Sequence, residues 1–468
     1  MTRTFAINKI APAILVLLAG LYLPGCNPAR TDLAVFDYRF EAADYNQAGL
    51  FAQQKIRKGN TPSGNDLLWT LQLAAAERTQ LNHGQAIASF DKAEEMLNYY
   101  APQSELVDAV GSTIVNDNLV PYKGQEYDGI MVNTYKALDF LAEKNLDLAR
   151  VELNRALDRQ MRAREHFNAE IRKLEAKLEK QKQESSYDAK ALANDPNTLA
   201  RVNAQYPNID QFRPYPDFVN PFTTYLAAVY FALVGEYQKA GYLFKESAGM
   251  VPDNDYIAKD LLLTDDVIAG KAKLENMVWV IFENGLGPVK EEVRIDIPLF
   301  LAASRVQYVG IALPRLRPRD VAYPCLILET DAGRYPTKQV ADMDRVIQTE
   351  FQKDFRGILA RAIASAVLKA AAQSAVHNRS NNDLANNLAT TLMALYSAAT
   401  TAADVRIWSA LPKDFQVARC PISQDRKLKI APAGSAPFEI NIPACRNAIV
   451  YVKIVRTGAS PVYEVLTF

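Results

Sequence analysis

Two stretches of the chain carry the same ladder of small and aromatic residues, and that ladder narrows what the N-terminal half can fold into. Ala228, Phe231, Tyr237, Ala240 and Phe244 stand at steps of 3, 6, 3 and 4, with Gly235 inside the step of six and Pro252 closing the stretch. Ala137, Phe140, Leu146, Ala149, Leu153 and Ala156 repeat those steps and add one of 3, with Lys144 at the glycine position. Steps of three and four place side chains on one helix face. The step of six is a turn between two helices. An Ala at the crossing lets antiparallel helices close up, and an aromatic one turn later fills the neighbouring groove. Each pair leaves an apolar face uncovered, so pairs must stack. A weaker copy shows Ala86, Phe90 and Ala93, with Leu73 and Ala74 upstream and Gly84 slightly displaced.

The spacing resembles that of tetratricopeptide repeats. The resemblance implies a helical solenoid over residues 37–272, with a concave groove that holds a peptide or helix. Tyr225, Tyr230 and Tyr237 are the aromatic candidates for its lining. Between the copies, Ala149 to about Glu184 has no Pro or Gly, and predicts a helix about 54 Å long. Phe167, Ile171, Leu174 and Leu178 form a seam along it, like that of a coiled coil. Such a helix protrudes from the solenoid, resting on it or offered to a partner. Arg213, Pro214, Tyr215 and Pro216 belong to an ordered loop that returns to the next repeat.

Near Met277 the pattern changes from helix to strand. Val278 to Phe282 and Glu292 to Ile297 flank an Asn284-Gly285 turn, which predicts a hairpin. Further strands are expected at Val306–Leu313, Tyr323–Glu329, Phe438–Ile442, Ala448–Val455 and Val462–Phe468. Asp344–Val376 and Leu384–Ala403 are rich in small residues and predict a packed helical hairpin over about 344–403. The expected fold is therefore α+β and multidomain. A helical solenoid precedes a mainly antiparallel β domain at 277–468.

The N-terminus supplies an address. Arg3 and Lys9 precede an uncharged run, Ile10 to Leu23, of 14 residues, short of the roughly 20 that a helical crossing needs. Leu23, Pro24, Gly25 and Cys26 resemble a bacterial lipobox. That implies a signal peptide at 1–25, a lipidated Cys26 and a tether over 26–36. Asn27, where an Asp commonly signals inner-membrane retention, favours the periplasmic face of the outer membrane. Export implies an oxidising compartment, in which Cys420 and Cys445 are the preferred disulfide and Cys325 stays free. Pairing of Cys325 with either of the others remains open.

The chain has 53 basic and 53 acidic residues, which gives no general case for nucleic-acid binding. His83, His166 and His377 have no metal-ligand spacing. No phosphate-binding loop, dinucleotide fingerprint, nucleophile elbow or His-Glu-x-x-His helix is present in the sequence. Carboxylate neighbours such as Asp265 with Asp266, or Asp342 with Asp344, fit helix starts. We therefore expect no enzyme activity, no cofactor and no metal. Glu283 to Glu292 is expected to be a charged hairpin tip, Trp408 a core residue, and Arg406 with Asp404 a structural pair.

In order, the lipobox, the repeat-like helices, the Glu283-Asn284-Gly285-Leu286 segment, the Ala-rich helices and Ala403-Asp404-x-Arg406-x-Trp408 resemble an uncharacterised family of Gram-negative lipoproteins. Its genes often lie beside those for penicillin-binding-protein activator lipoproteins. The resemblance implies a scaffold that binds a periplasmic protein in envelope assembly, with a link to peptidoglycan synthesis. The alternative is a peptidoglycan- or carbohydrate-binding β domain on a helical spacer.

Overall fold

The computed structural model describes residues 28–59, 61–103, 120–185, 189–206, 215, 219–298, 308–379 and 402–468. Leu23, Pro24, Gly25 and Cys26 lie outside them, as do Arg213, Pro214, Pro216 and residues 384–401 of the expected second Ala-rich helix.

Helices come first: α1 (Pro28–Glu41), α2 (Tyr45–Lys55), α3 (Asp66–Thr79), α4 (His83–Gln103), α5 (Glu126–Ala142) and α6 (Leu146–Ser185). Short α7 (Ala189–Ala193) and α8 (Pro196–Ala204) lead to α9 (Pro221–Leu233), α10 (Tyr237–Met250) and α11 (Asp255–Ile268). Four hairpins, α1/α2, α3/α4, α5/α6 and α9/α10, share one turn. Each has a single residue with positive φ, namely Ala43, Leu81, Lys144 and Gly235. The next amide bonds back five residues, Asp44 to Arg39, Asn82 to Glu77, Asn145 to Phe140 and Glu236 to Phe231, at 2.8–3.0 Å. That closure satisfies carbonyls the helix end would otherwise leave unpaired. Leu81, not Gly84, occupies the turn of the weaker copy.

The repeat alanines sit where close crossings need them. Ala86, Ala93, Ala137, Ala149, Ala156, Ala228 and Ala240 are all fully buried, with Phe90, Phe231 and Phe244 beside them. Phe140 and Tyr237 are half-buried, and Pro252 is exposed in the turn before α11. The first helix of a pair is covered on nearly every side: 12 of 14 residues in α3 and 12 of 13 in α9 are buried. Helices buried all round have neighbours on both faces.

The neighbour on the inner face is a sheet. Strands β1 (Met277–Asn284), β6 (Lys338–Asp342), β7 (Asp414–Pro421), β10 (Asn447–Ile454) and β11 (Val462–Thr467) form five strands in the order β11-β10-β1-β7-β6. β1 pairs parallel with β10 and antiparallel with β7. Strands β4 (Leu326–Thr330), β5 (Gly333–Pro336), β8 (Lys427–Pro432) and β9 (Phe438–Asn441) form an antiparallel sheet in the order β5-β4-β8-β9. One continuous hydrophobic core runs from Leu33 in α1 to Leu466 in β11 and includes both sheets and the helical pairs. The separate solenoid and β cores expected from the sequence are therefore fused.

A second, smaller core lies apart. Strands β2 (Val289–Pro298) and β3 (Tyr308–Arg317) form a two-stranded ribbon, and α12 (Met343–Arg379) packs on it with α7, α8 and the far part of α6. Val293, Ile295, Ile311 and Leu313 meet Phe351, Phe355, Leu359 and Ile363 there. A Cβ on Gly357 of α12 would lie 2.6 Å from Leu174 of α6, so the glycine permits that crossing.

Two expectations are corrected. β1 and β2 are not a hairpin, because Gly285, at φ +63°, redirects the chain into another sheet. Of the tether expected over 26–36, residues 28–36 are not a loose leash, since α1 starts at Pro28 and buries Leu33 and Phe36. The long helix, at 40 residues or about 60 Å, is bound into the array by its first part and crosses α12 at Leu174.

The shared turn generates a prediction. Lys144→Gly relieves a left-handed residue that carries a Cβ and raises stability by up to about 1 kcal/mol. Gly235→Ala, where the new Cβ meets nothing within 4 Å, lowers it by about 1 kcal/mol through backbone strain alone. Urea midpoints measure both.

Candidate functional site

The inner face of the helical array, where the sequence places a groove, is filled by the chain itself. Phe222 of α9 stacks on Phe415 of β7, with ring centroids 3.7 Å apart. Trp408 packs 5.9 Å from Tyr135 and 6.1 Å from Phe90. Gln72 of α3 donates to Ser409 Oγ at 2.8 Å, and accepts from the Ala410 amide at 3.3 Å. Of the three groove candidates, Tyr225 is buried and donates to Asp260 at 2.7 Å, and Tyr230 donates to the Leu146 carbonyl at 2.7 Å. Tyr237, the first residue of α10, is half-buried against the core. None of the three lines an open groove.

Charged side chains bind the array to the sheet. Glu283 at the end of β1 is buried and accepts from Lys453 at 2.7 Å, from Tyr135 at 3.1 Å and from Tyr451. Arg78 of α3 lies between the rings of Tyr135 and Tyr451, pairs with Asp139 of α5 and reaches Glu464 of β11 at 3.4 Å. His83 bridges the same two carboxylates, with Nδ1 2.8 Å from Asp139 and Nε2 3.1 Å from Glu464. Burial opposes the charged imidazole, but Asp139 and Glu464 outweigh it and lift His83 to about 9. Burial pulls the Lys453 ammonium below its usual range against the attraction of Glu283.

The Glu283-Asn284-Gly285-Leu286 segment is thus a buried junction and not an exposed tip. Asn284 accepts from the Ala322 and Tyr323 amides at 3.1 and 3.2 Å and donates to the Tyr323 carbonyl at 2.9 Å. A Cβ on Gly285 would come within 3.0 Å of the Asp320 carbonyl. Arg406 is buried against Asp404, at 2.7 and 2.8 Å, and also donates to Asn65 and the Val120 carbonyl. Both segments are structural.

Among the described residues, Cys325, Cys420 and Cys445 are unbridged. Cys420 lies in the core on β7, opposite Val278 of β1, and burial pushes its thiol up to about 12. Cys445 precedes β10, where its sulfur is 3.4 Å from Arg426. The two expected partners thus sit in different surroundings, and Cys325 is also free. Among the described residues, no group of three His, Cys, Asp or Glu side chains is gathered to hold a metal ion, and no helix is long and apolar enough to cross a membrane.

One open cleft of about 520 Å³ lies where α11 leaves the sheets. Lys259, Arg334, Lys338 and Arg419 line it together with Asp255, Tyr256 and Tyr335. The N-cap Asn254 fixes the start of α11 and holds it to β6 through the Gln339 carbonyl at 2.9 Å. Asp255 bridges Lys259 at 2.9 Å and Lys338 at 2.7 Å, and the two ammonium groups, Lys338 foremost, hold its carboxyl down at about 2. Glu329 likewise bridges Arg334 and Lys429. Arg419 is fixed by buried Asp260 at 2.5 Å. Three carboxylates, Asp255, Asp260 and Glu329, stand against the four lining cations, each of which is paired, and leave the cleft a small positive excess. Its lining comes from four distant stretches of chain, and none of it was singled out from the sequence.

No protein-family model matches the chain, and no curated protein matches it. A solved structure of a tetratricopeptide repeat protein from Parabacteroides merdae ATCC 43184 is similar at 12% identity, over 51% of this chain and 98% of that one, with a TM-score of 0.14.

His83 gives the array–sheet contact a pH dependence. A histidine raised to about 9 in the folded state, against about 6.5 unfolded, adds stability that is complete below pH 6.5 and fades as pH climbs to 9. The contribution is on the order of 2 kcal/mol. Thermal melts of wild type and His83→Ala should differ most at pH 6 and converge by pH 9.5.

Proposed function

We propose that this chain is a non-enzymatic interaction scaffold, anchored by lipid at Cys26 to the periplasmic face of the outer membrane and serving cell-envelope assembly. Its partner is a periplasmic protein that offers an acidic segment to the cleft beside α11. The observation that carries this proposal is the electropositive cleft, left open at the end of an array whose inner face is already occupied. Arg419 and the two lysines on Asp255 supply attraction, and Tyr256 and Tyr335 supply apolar rims. The work of such a protein is tethering: confinement at the membrane raises the effective concentration of whatever the cleft holds. The lipobox and the resemblance to envelope lipoproteins support the location and a link to peptidoglycan synthesis.

A second proposal draws on the same cleft. Tyrosines flanking cations suit a carboxylate-bearing glycan, which would make the protein a peptidoglycan-binding module on a helical body. Crosslinking and affinity purification from intact envelopes separates the two. The scaffold requires a protein partner recovered by wild type and lost, by at least about tenfold, with Lys259→Gln/Lys338→Gln, since each charge contact contributes roughly 1 kcal/mol or more. Recovery of no protein, together with binding to isolated sacculi, replaces it with the glycan proposal. Cys26→Ala should shift the protein from the membrane to the soluble periplasmic fraction. A variant that stays functional there removes tethering from the mechanism.

A further inference from the structure

The start of the array and the module at the far end of α6 lie on the same edge of the molecule. Asp32 in the first turn of α1 pairs with Lys55, the last residue of α2, at 2.6 Å. The amide of Arg57 then meets Asp66 at the start of α3, and the amide of Tyr122 meets the Gly64 carbonyl. Arg406 ties Asn65 to Val120, just ahead of α5. At α5 itself, His166 of α6 touches Glu126, and Glu350 of α12 accepts from the Glu126 amide at 3.0 Å. Beyond His166, α6 continues for 19 residues, about 28 Å past that edge, and carries the ribbon, α7, α8 and α12.

The module is also where the charge lies. Residues 167–185, 189–206, 289–298, 308–317 and 343–379 hold 17 Lys and Arg against 11 Asp and Glu, in a chain with 53 of each. Arg172, Lys190, Arg317 and Arg356 are exposed on it.

We infer that this module is a second membrane contact, which lays its basic surface on the anionic phospholipid headgroups of the bilayer that holds the lipid anchor. The inference rests on the anchoring of Cys26. Only Asn27 separates Cys26 from Pro28, a span of at most about 7 Å, so the edge is held against the headgroups and the body can only pivot on it. The positive module decides the direction of the tilt, because basic residues gain free energy within a Debye length of an anionic surface. The lipid holds one end of the edge and charge holds the other.

The test uses the chain from Asn27 onward, which keeps every element described and has no lipid acceptor. It should sediment with phosphatidylglycerol-containing vesicles and not with pure phosphatidylcholine, and about 0.5 M salt should release it. Arg172→Glu/Lys190→Glu/Arg317→Glu/Arg356→Glu should weaken binding at least about tenfold with circular dichroism unchanged. Lys144→Glu/Lys271→Glu/Lys273→Glu, on the opposite edge, should leave binding intact. Absence of a phosphatidylglycerol preference, or equal loss with the control variant, overturns the inference. Equal, variant-sensitive binding to heparin also overturns it, by assigning the face to a soluble polyanion. Fatty-acid labelling of full-length wild type and Cys26→Ser reads the anchor separately. Vesicle binding without Cys26 labelling would refute the anchor and leave the basic face as a peripheral membrane site.

Discussion

A carboxylate removed from water must find charge and hydrogen bonds where it lands, and Glu283 meets that requirement by joining both halves of the molecule. Its partners are Lys453 and Tyr451 from the sheet and Tyr135 from the helical array. One layer out, Arg78 and His83 from the array pair with Glu464 of the last strand and share Asp139. Three basic and three acidic side chains are thereby matched across a largely buried interface. Removing one partner from such a set typically costs about 3–5 kcal/mol, because the other charge stays buried. The inner face of the array therefore cannot open for a guest without leaving several charges unpaired. What would be a receptor groove in an open solenoid is here a structural joint.

The helical pairs were legible because Ala and aromatic residues at fixed steps leave few packing solutions. Their turns were less so. Only Gly235 announces a left-handed residue, whereas Ala43, Leu81 and Lys144 adopt the same φ because the flanking helices and the amide bond back five residues impose it. The occupied inner face also had a signal in the sequence. Pro221 to Leu233 is apolar or small on every side, and such a helix must be covered on both faces.

The β region was harder to read for a physical reason. Val278 to Phe282 is a continuous apolar run, which marks a central strand buried on both faces. A local hairpin supplies only one neighbour. The parallel partner, β10, lies some 170 residues away in sequence, and the turn signal at Asn284-Gly285 pointed to the wrong strand. β7 and β8 mix charge and Pro into their runs, so the segment between Cys420 and Cys445 reads as paired strands without showing their bounds. The cleft draws on residues 255–259, 277, 334–338 and 419–421, and no local pattern brings those together. Single charges inside apolar runs were the readable clue to the joint: Glu283 ends one strand and Lys453 interrupts another, and each needed a partner the run itself did not contain.

The long helix shows how the two cores are mechanically related. Its first part is bound into the array through buried Ala149, Leu153 and Ala156, and its later part lies against α12 at the Leu174–Gly357 crossing. No Pro or Gly interrupts it between Leu146 and Ser185, so it lacks the usual causes of a sharp kink. The array is in turn locked to the sheet by the Glu283 and Arg78 pairs, and Glu350 of α12 holds the first amides of α5. A load on the ribbon is therefore carried along α6 into the same helices that contact the sheet. A repeat array closed on its own sheet gives up a groove and gains stiffness.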